Sequence, residues 1–461
     1  MKDRVIANYG TVQNVNSKNS EKKGIERYGT NKLRSWELAI IVLFSCMGCM
    51  AAMATRNFTS GFYFEFLKKR NLNSTIGTIA ISMTLITTAV SPYLFRFFPK
   101  AITQSPVITR CAVLFFLNAL FLALMGVLDV VLERYPDGRL AFVIISVLRS
   151  LQGLTTGLLV LLLQGEMVDL YLQEYKILII IISCSMHVAN IISSILAAQL
   201  YSWGGWLFVG LGLAAFTCLP LFLIPAIKVV QRRAQSIDNK RLLENAGSLE
   251  DFVDSQKGSD RISCIRKIAF YMPEIALFLN NVLYNILIFN LTERIFTFSG
   301  KDFDTAVLLM NSLNVFALIS ALVLAYITDK KLNVFSAMIF GNVAFHTGYI
   351  FTFGSTTKFS FLQFPYGFEV GSVLVGIGDA AVANLSIMSK FVLYERWGLP
   401  TKGLGVRSTA VNNLAINLSV ALGIVLSGFT LSRESEVPVL GGGAGVFILV
   451  GIGLILCRVV K

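Results

Sequence analysis

QRRAQSIDNKRLLENAGSLEDFVDSQKGSDR, residues 231–261, is the long polar break in a chain that otherwise runs from one apolar stretch to the next. It mixes both charge signs and interrupts every hydropathy window, so it reads as a linker loop that is partly helical and mobile. Working outward from it, apolar runs fall at 37–55, 75–96, 107–129, 140–165, 176–200 and 205–227 on one side. On the other they fall at 270–292, 304–327, 333–355, 364–392, 403–430 and 438–458. Each is close to the ~20 apolar residues that a helix needs to cross a bilayer. The pattern predicts an all-α membrane protein of about twelve transmembrane helices in two six-helix halves. The expected units are an N-terminal tail (1–36), a first bundle (37–227), a linker (228–269) and a second bundle (270–461).

Composition agrees. Of 461 residues, 55% are hydrophobic and only 15% charged, which leaves too little to cover a soluble surface. A soluble enzyme, a single-span receptor and a disordered protein are excluded. The net charge of +13 does not point to nucleic acid, because the basic residues sit in short clusters between apolar runs. Lys and Arg instead favour one side of the bundle by about threefold, which by the positive-inside rule puts both termini and the linker in the cytoplasm. Two sequons, Asn57-Phe-Thr59 and Asn73-Ser-Thr75, fall in the first loop of the opposite side, as that orientation permits. Six of the seven cysteines lie in apolar runs and Cys264 in a polar segment, so no disulfide framework is expected. The polar tail holds no short apolar stretch with a cleavage site, and no signal peptide is expected.

Within the spans, polar residues recur at helical spacing. Asp379 is a carboxylate near mid-span, where an ionised group is expensive even on lenient insertion scales. Ser372, Gly376, Asp379, Ala383, Ser386 and Lys390 share a face suited to a water-filled cavity. There Asp379 either binds a cationic substrate or a proton, or pairs with a basic group for structure alone. Arg149, Gln152, Gly153 and Thr156 share a face of the fourth span; Arg149 either couples protonation to helix movement or is a structural charge, and facing a cavity it suits an anionic substrate. His187, with Ser183, Asn190 and Ser194, is either a proton-relay group or a hydrogen-bonded structural histidine. Asn281 and Asn285, Asn311 and Asn314, and Asn413 and Asn417 are amide pairs that either bind substrate polar groups or join helices. Gly61 to Arg70 reads as a basic interfacial stretch, and Asp238 to Leu243 has the form of an acidic dileucine sorting signal. No phosphate-binding glycine loop, metal-ligand spacing or Ser/His/Asp set occurs, so no cofactor, metal, catalytic residue or ATP-driven pump is expected.

Two halves joined by a polar loop are the form of transporters whose substrate site lies near the bilayer midplane. Arg149-Ser150-Leu151-Gln152-Gly153 resembles the R-x-x-Q-G motif of the major facilitator superfamily, and Asp329-Lys330-Lys331 resembles a worn copy of its loop motif. Gly376-Ile377-Gly378-Asp379-Ala380-Ala381 resembles the G-x-x-D-[SA]-[SA] segment of vesicular amine transporters. Ser91-Pro92 and Tyr201-Ser202-Trp203-Gly204-Gly205-Trp206 are similar to the same branch, including its vesicular polyamine members. The chain departs from that branch in having no acid within 38–55, Asn413 in place of the eleventh-span acid, and no Gly or Pro from His187 to Ala198.

The resemblance implies the major facilitator fold and secondary active transport of a small organic solute by alternating access, with exchange of an organic cation or amine for protons. Two alternatives stay open: a facilitator or symporter for a neutral or anionic solute anchored by Arg149, and a non-transporting membrane receptor or scaffold with the same fold. The implied partners are a small-molecule solute, protons and the lipid bilayer, with no nucleic acid and a monomeric state. The expected location is the plasma membrane or a vesicular or endolysosomal membrane.

Overall fold

The computed structural model describes residues 35–57, 74–97, 105–132, 138–172, 176–237, 264–299, 303–330, 333–355, 364–399, 403–430 and 436–460. Among them there is no strand. A helix satisfies all of its own backbone polar groups, which is what a slab without water requires of a single span. In chain order the helices are α1 (Ser35–Asn57), α2 (Ser74–Leu94), α3 (Val107–Leu132), α4 (Gly138–Val160), α5 (Lys176–Cys218) and α6 (Ile224–Ile237). The second half holds α7 (Cys264–Ser299), α8 (Phe303–Lys330), α9 (Val334–Gly354), α10 (Gly367–Arg396), α11 (Leu404–Thr430) and α12 (Glu436–Val459). Nine helical stretches among the described residues are long and apolar enough to cross a membrane.

Several boundaries differ from the hydropathy pattern. The fifth and sixth spans form one element, α5, broken where Gly204 and Gly205 leave helical geometry, with Gly205 at φ 64. That left-handed value is open to glycine without strain, and the pair turns the chain back so that Trp206 Nε1 donates to the Met125 carbonyl of α3 at 3.1 Å. The fourth span runs past Val160 into two wider π turns, Leu161–Glu166 and Val168–Leu172. The linker is helical at both ends, since α6 reaches Ile237 and α7 starts at Cys264, ahead of the expected 270. The tail 1–34, the Asn73 sequon, the Gly61 to Arg70 stretch and the Asp238 to Leu243 segment lie outside the described residues, as do the side chains of Ser183, Ser194, Asn311, Asp329 and Lys330.

Helices α6 and α7 face the linker from one end of the bundle, called here the linker end. In the first half α4 packs on α2 through Gly153 and Gly157, whose missing side chains would run into the Thr84 and Thr88 carbonyls and the Thr87 and Ser91 hydroxyls. Small residues one turn apart allow this close backbone approach. In the second half α10 is the central helix, packed against α7, α8, α9 and α11 and reaching α5 of the first half. A Cβ on Gly376 would come within 2.8 Å of the Leu313 carbonyl and 3.0 Å of the Ala317 nitrogen, both backbone atoms of α8.

Gly376→Val should therefore force α8 and α10 apart and destabilise the protein by about 1–3 kcal/mol. Thermal unfolding in detergent reads this out. Gly445→Ala, at a glycine whose added Cβ would meet nothing within 4 Å, is the control and should leave the midpoint unchanged or slightly higher.

Candidate substrate and proton site

Glycines set the position of Asp379. With Gly376 against α8 and Gly378 against Gly341 and Phe345 of α9, α10 is held closely on two sides, and the carboxylate that follows is fixed inside the bundle. Asp379 is 8% exposed, and among the described residues no cation or hydrogen-bond donor pairs with it. Its electrostatic neighbour is Tyr284 of α7, whose hydroxyl donates to Asn314 Oδ1 of α8 at 3.4 Å. Asn281, Tyr284 and Asn285 of α7 each keep 7–9% exposure. The sequence reading of Asn281 and Asn285 as a pair holds in space: Asn285 Nδ2 donates to the Asn281 carbonyl at 2.6 Å. Asn285 also lies against α11, where a Cβ on Gly423 would meet it.

The expected polar stripe of α10 is not a water-filled face. Gly376 backs onto α8, Ser386 donates to Asn412 Oδ1 of α11 at 2.7 Å, and Lys390 pairs with Glu274 of α7 at 2.6 Å. Residues at i, i+3 and i+4 share a side of a helix, but when several helices surround it that side meets several neighbours. Asp379 alone of the stripe's charged residues is left without a partner.

The first half contributes a cationic group. Arg149 is 2% exposed and its Nη1 donates to Gln152 Oε1 at 2.7 Å, so the two motif residues hold each other. Thr155, in the turn after Gln152, donates to the Gln152 carbonyl and to Asn118 of α3.

Among the described residues, hydrogen bonds join the halves. His187 of α5 meets Asn384 of α10, with Nε2 and Nδ2 3.2 Å apart. Asn413 Nδ2 of α11 donates at 3.1 Å to the Thr88 carbonyl of α2, and Asn417 Nδ2 donates to the Asn413 carbonyl at 2.7 Å. That Thr88 carbonyl is available because Pro92, four residues on, has no N–H to give it. At the linker end Asp169, carried by the second π turn, accepts from Gly405 N at 2.8 Å and Val406 N at 2.9 Å, which caps the start of α11. The Asn190 carbonyl accepts from Ser193 of the same helix.

Sequence reasoning missed Tyr284, Asn384, Glu274, Glu166 and His346. Glu274 and Lys390, like Arg110 and Glu166 at 2.5 Å, are buried ion pairs whose members lie on different helices. Ionisable residues inside apolar runs were the available signal for all four. His346 joins a separate network in which its Nε2 lies 3.2 Å from Asn280 Oδ1 and Asn280 Nδ2 lies 3.3 Å from Asn342 Oδ1.

No protein-family model and no curated protein matches the sequence. The fold, however, is found among solved structures. The major facilitator superfamily proton:xylose symporter XylE bound to 6-bromo-6-deoxy-D-glucose aligns with TM-score 0.64 and 15% identity over 92% of this chain and 95% of its own. A bacterial homologue of the iron transporter ferroportin, in its outward-facing state with soaked iron, aligns with TM-score 0.65 and 15% identity over 93% of this chain and 100% of its own. XylE from E. coli in a partially occluded inward open conformation aligns with TM-score 0.60 and 14% identity over 92% and 99%. The chain thus has the major facilitator fold and is an integral, multi-pass membrane protein.

Lys390→Met should destabilise the protein by about 3–5 kcal/mol, because it leaves the Glu274 carboxylate buried and unpaired. Adding Glu274→Leu should restore most of that loss. Denaturant unfolding of the two single variants and the double variant measures the coupling, and a double variant no more stable than Lys390→Met contradicts it.

Proposed function

We propose that this protein is a secondary active transporter that carries a small organic cation across the membrane in exchange for protons. The two bundles, 37–227 and 270–461, rock against each other about a site between them, while the linker and both termini stay on the cytoplasmic side. The shared fold with a proton:xylose symporter supports solute transport by alternating access, and the Lys and Arg bias of the loops supports the orientation.

One observation carries the substrate class: a buried carboxylate, Asp379, with no cation or donor paired to it among the described residues and with Tyr284 as its electrostatic neighbour. A buried anionic oxygen is suited to an organic ammonium group, because opposite charges attract more strongly where water is scarce. A proton would serve the same carboxylate when the cation leaves, and this competition for one group yields exchange. Asn281, Asn285 and Asn314 offer amides for the polar parts of such a solute, and Arg149, Gln152, Asn413 and Asn417 are further polar groups that we assign to the site.

Uptake of labelled amines and polyamines into proteoliposomes under an imposed pH gradient tests this reading. Gradient-driven uptake should appear with the wild type and fall to the level of empty liposomes with Asp379→Asn. Uptake that survives the substitution removes Asp379 from the mechanism. Uptake that needs no gradient points to a facilitator. Failure of every cation, with uptake of a neutral or anionic solute that Arg149→Gln abolishes, replaces the cation reading altogether.

A further inference from the structure

The contact between His187 and Asn384 fixes the state of the histidine. Asn384 Nδ2 lies 2.9 Å from the Ala380 carbonyl and 3.2 Å from His187 Nε2. A carbonyl oxygen can only accept, so the Asn384 atom in both contacts is the amide nitrogen, and it donates to both. His187 Nε2 is then the acceptor, and the ring carries its single proton on Nδ1. The lone pair that holds Asn384 is the one that a second proton would occupy. Protonation of His187 and this bond between the halves therefore exclude one another.

We infer that the His187–Asn384 bond is a proton-released latch between the two halves, present with neutral imidazole and lost when His187 takes up a proton. The latch is a group outside the Asp379 site, and it gives the transport reading a second point at which a proton acts. His187 is 7% exposed and Asn384 2%, so water does not readily replace the bond once it is broken. The imidazolium would place an N–H against the amide N–H₂ that it now accepts from, and the halves separate there or the ring turns away.

The elements packed on α5 carry other ionisable side chains. Among the described residues they are Glu37, Cys46 and Cys49 of α1, Arg110 and Cys111 of α3, Glu166 and Asp169 of the π turns, Tyr326 of α8, and Glu369, Asp379, Lys390, Tyr394, Glu395 and Arg396 of α10; Cys184, Tyr201 and Cys218 lie on α5 itself. The test must separate His187 from these groups, which substitution at His187 does.

The interval between the halves at the linker end can be read without any substrate. Cys264, exposed at the start of α7, and Lys228→Cys, at an exposed position of α6, take one spin label each after the half-buried Cys46 and Cys218 are replaced by alanine. Double electron–electron resonance at about pH 8 and about pH 5.5, on either side of the usual histidine range, gives the distance distributions. The wild type should move from a short to a longer distance on acidification, with the population ratio changing about tenfold, the order expected for one buried hydrogen bond. His187→Gln, whose side-chain oxygen still accepts from Asn384, should stay short at both pH values. His187→Leu and Asn384→Leu should populate the longer distance at both.

A wild-type distribution that ignores pH overturns the latch, and so does a His187→Gln variant that keeps the wild-type response. Because His187→Gln retains an acceptor, it gives a reading even if the leucine variants do not fold. Transport is not part of this measurement, so it can fail while the cation-exchange reading stands, and the reverse holds for the uptake assay.

Discussion

A bilayer offers no water to a polar group, so each donor and acceptor in the slab has to be matched inside the protein. Two prolines show how this constraint builds tertiary structure. Pro92 has no N–H for the Thr88 carbonyl, which instead accepts from the Ser91 hydroxyl at 3.0 Å and from Asn413 of the other half at 3.1 Å. Pro273 does the same to the Ala269 carbonyl, which accepts from Cys457 Sγ of α12 at 3.3 Å. In each case a gap in one helix's own ladder becomes a bond to a different helix. The first of these ties the two halves together, and the second fastens the last helix to the seventh.

The same constraint governs charge. Arg110 and Glu166 pair within the first half, and Lys390 and Glu274 within the second, where Lys390 also lies 4.3 Å from the centre of the Phe270 ring. Arg396 Nη1 meets the last carbonyls of α12, those of Cys457 at 3.0 Å and Arg458 at 3.2 Å, in the position where a cation best serves a helix C-terminus. Against this background Asp379 stands out: among the described residues it has no partner, and a buried carboxylate in that state is a loss that a ligand or a proton makes good.

How much of this the sequence disclosed depends on whether an arrangement lies along one helix or between several. The long apolar runs and the i+3 relation of Arg149 to Gln152 are properties of local order, and each reappears in space. Gly153 and Asp379 were also legible, one as a small residue in a motif and the other as an isolated carboxylate. Contacts between helices were not legible. Nothing in spacing says that Lys390 finds Glu274 across 116 residues of chain or that Ser386 finds Asn412, because periodicity gives the side of a helix and not the helix it meets. His187 shows both halves of the problem: its burial in a span was readable, and its partner Asn384 in the other half was not.

The distribution of bond strength between and within the halves bears on how such a fold moves. The two buried ion pairs each lie inside one half, and breaking such a pair costs about 3–5 kcal/mol, which stiffens the half that holds it. Across the seam the contacts of Asn413 with Thr88 and of His187 with Asn384 are bonds between neutral groups, worth about 1 kcal/mol each. Asp169 at the start of α11 is charged, but it is only half-buried at the linker end, where water can take over its two bonds when the seam parts. Strong matching within each half and weak, replaceable matching between them favour motion of the halves as rigid bodies. Under the proposed latch, a proton on His187 would remove one of the neutral bonds that such a motion has to break.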